Sequence, residues 1–157
     1  PMELNATRII AADRMTVWAA LNDAETLKAC IPGCEELTGS PDTGFAATVT
    51  QKVGPVKATF RGEVKLSNIV PGESYTISGE GKGGVAGFAK GAAEVRLSEA
   101  DGGGTALHYD VQAKVGGKIA QLGSRLVDSF AQKMADQFFE RFQTRVEGSQ
   151  AQPPAGA

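Results

Sequence analysis

From Val56 to Leu66 the chain alternates strictly, with Val56, Ala58, Phe60, Gly62, Val64 and Leu66 on one side and Lys57, Thr59, Arg61, Glu63 and Lys65 on the other. A period of two with one apolar face marks a half-buried antiparallel strand. Phe45, Ala47, Val49, Gln51 and Val53 supply the matching inner face of the strand before it, joined through a tight turn at Gly54-Pro55. Tyr75 to Gly81, Val85 to Leu97 and Thr105 to Val115 repeat the pattern, separated by turn residues at Pro71-Gly72, Lys82 to Gly84 and Asp101 to Gly104. Together these segments predict a long antiparallel meander.

The flanks read differently. Residues 3 to 11 have the β-branched and small side chains of a first strand. Asp13 offers an N-cap for a short helix carrying Met15, Val17, Trp18 and Leu21, and Asp23 offers one for a second carrying Leu27, Cys30 and Ile31, stopped by Pro32-Gly33. From Gly117 to Val146, spacings of three and four connect Ile119, Leu122, Leu126, Phe130, Met134, Phe138, Phe142 and Val146. That predicts a single helix about 45 Å long, with Lys118, Arg125, Lys133 and Arg141 on its solvated side. The order predicts an α+β helix-grip fold: a curved antiparallel sheet wrapped around a long C-terminal helix, with two short helices after the first strand. One domain over residues 1–147 is expected, followed by a disordered tail over 148–157, rich in proline and small residues.

The 157 residues are 41% hydrophobic and 22% charged, enough for one core without disulfides or metals. Sixteen basic against eighteen acidic side chains give a net charge of -2, which argues against a nucleic-acid binder. No run approaches the roughly 18 apolar residues of a spanning helix, and the amino terminus lacks signal-peptide character, so a cytoplasmic protein is expected. Pro1 ahead of Met2 reads as a vector remnant.

Several chemical signals dissolve on inspection. Cys30 and Cys34 form neither a C-x-x-C pair nor half of a zinc site, and read as ordinary thiols, with no metal site expected. Gly79, Gly81 and Gly84 match G-x-G-x-x-G, but alternating strand residues follow where a dinucleotide site needs a helix. His108, the single histidine, falls on the outer face with Asp110 and Gln112, and Trp18 reads as core. There is no G-x-S-x-G and no inward pair of carboxylates, so no residue is assigned a catalytic role.

One feature points to function. The inner faces are lined by very small residues: Ala47, Ala58, Gly62, Gly79, Gly81, Gly87, Ala89, Gly91, Ala93 and Ala113. Interiors close to a packing density near 0.74, so a concave sheet lined this way leaves a cavity unless the helix lies very close to it. The competing reading is that the glycines relieve bends and bulges. The expected lining is apolar apart from Gln51, Tyr75 and Tyr109. The candidate ligand-binding residues are Val49, Gln51, Phe60, Ala89, Gly91, Tyr109, Leu122, Leu126, Phe130 and Met134, with Gln51 or Tyr109 available to a polar head group.

The segment Trp18 to Leu37, with Leu21-Asn22-Asp23 and Cys30-Ile31-Pro32-Gly33-Cys34-Glu35, resembles the CoxG-like family of carbon monoxide dehydrogenase subunits. So do Val53-Gly54-Pro55, Phe60-Arg61-Gly62, the run Val115 to Gly123 and the pair Phe138-Phe139; the likeness spans about residues 2 to 146. The resemblance implies the helix-grip fold of the START and Bet v 1 groups, with an apolar cavity between sheet and helix. It further implies a non-catalytic carrier of a quinone-like or lipid-like molecule, without a covalent cofactor. Its implied partner is a molybdenum-containing CO dehydrogenase-type oxidoreductase, with peripheral contact at the inner face of the cytoplasmic membrane. Some members carry a C-terminal extension ending in an apolar segment; the sequence to Ala157 has none, so direct anchoring through one is not expected. Two rivals remain: a cyclase-like or aromatase-like cavity enzyme, which would need inward ionisable residues, and an assembly factor acting through its surface.

Overall fold

The computed structural model describes residues 2–151. Strand β1, Met2–Ile10, leads into helices α1, Arg14–Leu21, and α2, Ala24–Cys30. Strands β2 (Cys34–Ser40), β3 (Gly44–Val53), β4 (Val56–Val70), β5 (Ser74–Lys82), β6 (Phe88–Glu99) and β7 (Thr105–Gly116) follow. A one-turn helix α3, Lys118–Gln121, then precedes the long helix α4, Ser124–Ala151. The strands form one antiparallel sheet in the order β1-β7-β6-β5-β4-β3-β2, so the chain closes back on itself by placing β1 beside β7. This is the α+β helix-grip architecture. Helix α4 extends through Ala151, beyond the expected boundary at 147; the remainder of the expected tail, and Pro1, lie outside the described residues.

The two short helices carry the chain from one edge strand to the other, and their ends follow local chemistry. Asp23 caps α2 by accepting from the Thr26 amide at 3.0 Å and the Thr26 hydroxyl at 2.7 Å. These bonds to Thr26 hold its carboxyl below the usual carboxylate range. Asp13 stands at the cap position of α1 without a side-chain bond. Gly33, at φ 75°, turns the chain after α2 where an added Cβ would strike the Thr50 carbonyl, so the Pro32-Gly33 stop has a steric basis.

Strand β2 has no counterpart in the sequence pattern. Leu37 is its one buried side chain, and the register slips at a bulge between Cys34 and Glu36. Pairing with β3 imposes the strand, since one edge of β3 would otherwise present unpaired backbone groups. The segment expected as strand from Val85 instead begins with a single helical turn, Gly84–Ala86, which leaves Val85 85% exposed; β6 starts at Phe88.

The long helix is not continuous. Gly123 adopts φ 96° and separates α3 from α4. Repeated spacings of four also drift about 40° per step on a helix of 3.6 residues per turn, so Leu126 and Phe142 stand about 160° apart. Phe142 is fully buried, whereas Leu126 is 37% exposed. The packed face of α4 is completed by Phe139 and Val146.

The core lies where the second half of α4 meets the sheet. Ile10, Val17, Cys30, Leu107 and Phe142 are essentially inaccessible there, with Phe138 and Phe139 interleaved at ring separations of 4.9–6.3 Å. Thr105 is buried with them, its hydroxyl donating to the Ala12 carbonyl at 2.7 Å.

Two outcomes follow. Phe142→Ala should lower unfolding free energy by about 3–5 kcal/mol in denaturant melts, the range for removing a fully buried aromatic. Asp23→Ala should cost about 1 kcal/mol at neutral pH. Because the folded carboxyl titrates below its ordinary value, that difference should be complete above the usual carboxylate range and vanish as pH falls through the folded pKa.

Candidate functional site

Toward the start of α4 the helix and the sheet part company. Beneath that stretch lies a front cavity of about 470 Å³, walled by Val127, Phe130, Ala131, Met134 and Phe138 on the helix side. The facing strands contribute Leu4, Val49, Phe60, Ala89, Ala113 and Val115. Behind it a rear cavity of about 320 Å³ reaches toward Leu37, Phe45, Leu66, Tyr75 and Tyr109. Ile31, at the end of α2, and Phe138 border both cavities.

Small residues make this space in two ways. Ala89 and Ala113 line the front cavity, and Ala47 and Gly62 the rear one, where their missing side chains are the volume. Gly79 and Gly91, paired across β5 and β6, act otherwise. A Cβ on Gly91 would collide with the Gln112 carbonyl and Ala113, and one on Gly79 with the Glu63 carbonyl and Val64. These two glycines permit close strand approach, a role distinct from both the cavity lining and the relief of bends and bulges considered for them.

Of the candidate residues, Val49, Gln51, Phe60, Ala89, Phe130 and Met134 come together on the front cavity. Tyr109 belongs to the rear one. Gly91 lines neither; its backbone borders a charged groove on the opposite face of the sheet, beside Arg61, Lys82 and Lys90. Leu122 and Leu126 also leave the walls, because the break at Gly123 and the drift of the four-residue spacing turn them onto the β3–β4 turn. There the Leu126 side chain comes within 2.9 Å of where a Cβ on Gly54 would be. Val127 takes the place expected of Leu126.

The polar groups divide clearly. Gln51 donates through Nε2 to the Pro32 carbonyl at 2.6 Å, tying β3 to the loop after α2. Tyr109 stacks on Phe139, and its hydroxyl accepts from Arg8 Nη2 at 3.1 Å. Arg8 is the residue the sequence reading overlooked. It alternates onto the inner face of β1, contrary to the expectation that this face carries no ionisable side chain. Its Nη2 also donates to Asp136 Oδ1 at 2.7 Å, and the guanidinium lies 5.1 Å from the Phe139 ring centre. Burial opposes the guanidinium charge, but the bonds to Tyr109 and Asp136 outweigh it and raise its pKa. Bonds from Arg8 and Gln132 hold the exposed Asp136 carboxyl below its ordinary value. The available signal was the pairing of a β1 arginine with an aspartate on the far helix, which only the register of β1 on β7 brings together.

Other groups take structural places. Cys30 and Cys34 are free thiols, both pushed up in pKa by burial. His108 meets the Thr7 hydroxyl through Nδ1 on the outer face at 3.0 Å. Trp18 packs edge-on against Tyr75. Among the described residues no helix is long and apolar enough to cross a membrane.

Solved structures share this fold. A conserved protein from Geobacillus kaustophilus aligns with TM-score 0.87 at 26% identity, over 94% of this chain and 96% of its own. A START superfamily protein from Mycobacterium smegmatis aligns with TM-score 0.68 at 15% identity, covering 93% and 97% of the two chains. A protein from Thermus thermophilus gives 0.67 at 17%, over 94% and 98%. A search of curated proteins gives no match. The fold is thus a START-like helix-grip fold, here with an apolar cavity under α4. The model of the CoxG family of carbon monoxide dehydrogenase subunits matches residues 7–147, and the chain belongs to that family.

The two small residues should respond oppositely to bulk. Ala89→Leu places its methylenes in the front cavity and should leave stability within about 1 kcal/mol of wild type, while Gly91→Ala, clashing with backbone, should cost at least that much. Phe130→Ala should destabilise less than Phe142→Ala, because one side of Phe130 already faces open volume. Parallel urea melts of the four variants check these rankings.

Proposed function

We propose that this protein is a non-catalytic carrier of an apolar, quinone-like or lipid-like molecule, serving a molybdenum-containing CO dehydrogenase-type oxidoreductase. The observation that carries the reading is the pair of adjoining cavities of about 470 and 320 Å³ under α4, whose polar side chains are limited to Gln51, Tyr75 and Tyr109. Each is in the size range of small-molecule sites, and apolar walls with few polar groups suit a ligand that is mostly hydrocarbon. The inward cation, Arg8, is paired with Asp136, so it supplies neither a free acid nor a free base for cyclase chemistry. The partner class follows from the family, whose description names carbon monoxide dehydrogenase. Delivery to such an enzyme, or recruitment of it to the cytoplasmic membrane, is the corresponding role.

The test is extraction and mass spectrometry of protein purified from its native host. A quinone or lipid should co-purify near one equivalent with wild type and be depleted from Ala89→Leu of equal thermal stability. Protein that carries no apolar molecule, and binds no added quinone in titration, would leave a surface-acting assembly factor as the better account.

A further inference from the structure

The carrier reading leaves open which way a ligand lies, and the rear cavity contains the group that decides it. Tyr75, on β5, lines that cavity with only 4% of its surface exposed. Trp18 packs edge-on against it, with ring centres 5.1 Å apart, and Val95 stands beside it on β6. The hydroxyl finds no hydrogen-bond partner among the described residues, and burial alone pushes its pKa up. The polar side-chain atoms sealed inside protein without partners there are Arg8 Nε and Asn22 Oδ1. Tyr75 Oη is not one of these, so it keeps some accessible surface, and the residue that carries it lines the rear cavity. A buried hydroxyl without an acceptor is unfavourable, and an acceptor atom on a ligand would relieve it.

The second polar side chain of the rear cavity, Tyr109, has its hydroxyl turned to Arg8, from which it accepts. Tyr75 is a neutral donor without that neighbour, in a chamber whose other walls, Tyr109 apart, are apolar. An ionised acceptor would lose far too much hydration on leaving water for such walls, whereas a carbonyl oxygen would not. The two cavities share Ile31 and Phe138 in their walls, both apolar, and the front cavity offers further apolar walls.

We infer that Tyr75 anchors the ligand's head group: its hydroxyl donates a hydrogen bond to a neutral carbonyl oxygen, so the ligand lies head-inward in the rear cavity with its apolar tail running past Ile31 and Phe138. This rests on the carrier reading and adds to it a binding residue, an acceptor class and an orientation.

Two probes of one skeleton test it by calorimetric titration of the full chain: 2-decyl-1,4-naphthoquinone, and 2-decylnaphthalene, which lacks the carbonyl oxygens. Wild type should bind both, the quinone more tightly. Tyr75→Phe should weaken the quinone roughly tenfold and leave the hydrocarbon within about twofold. No loss for the quinone, or an equal loss for both probes, overturns the anchor while the carrier reading stands. Failure of wild type to bind either probe overturns both. A measurement independent of any variant uses Trp18, the single tryptophan. A quinone seated against Tyr75 should shorten its fluorescence lifetime at saturation, and an unchanged lifetime overturns the head-inward orientation.

Discussion

The seven-stranded sheet bends and α4 runs straight, so the two surfaces can meet closely over only part of their length. The closest contact is made at one end, where Phe142 is enclosed by the sheet and by α1 and α2, and the aromatic rings of Phe138 and Phe139 lock beside it. Everything else in the molecule follows from that choice. Once the C-terminal half of α4 is held, its N-terminal half necessarily stands away from the strands. The gap is walled by whatever short side chains the strands present, here Ala89 and Ala113. The front cavity is thus a geometric remainder of that anchor, while the rear one opens against core residues such as Leu107 and Phe139.

The polar groups obey the same division. Arg8 reaches from β1 to Asp136 on α4 and to Tyr109 on β7, joining edge strand, neighbouring strand and helix at the border between packed core and open volume. An arginine serves here because its Nη2 alone can donate to two acceptors while the planar guanidinium lies over Phe139. Gln51 does a similar job at the front by holding the Pro32 carbonyl. Arg8 Nη2 and Gln51 Nε2, which brace the frame, find acceptors; among the described residues the Tyr75 hydroxyl does not.

Much of this was legible in the chain itself, and the exceptions have physical causes. Strict alternation revealed β4 because one face meets the interior and the other water along most of its length. β2 was hidden because an edge strand with one buried residue, Leu37, has no alternation to show; its structure comes from its neighbour. The periodicity of the C-terminal region exposed the helix but not its break, since a lone Gly123 leaves no visible mark on a helical pattern, and a four-residue repeat conceals its own drift. Among the cavity residues, Ala89 and Gly91 look equivalent on paper. Only the distance between backbones separates an alanine that yields volume from a glycine that permits contact. Arg8 escaped because its partners lie 101 and 128 positions away.

The closing pair of the sheet carries a consequence for how the molecule comes into being. Met2 lies opposite Ala113, so the first strand to be synthesised cannot find its partner until most of the chain has followed. Until then β1 is an unpaired strand with a half-apolar face, and the loop that its pairing must close is among the longest the chain contains. Leu4, which walls the front cavity from β1, and Phe138, which walls it from α4, come together only once β1 has paired with β7 and α4 has packed on the sheet. No binding chamber therefore exists on a nascent or partly folded chain. A ligand taken up as proposed above would therefore enter a finished protein.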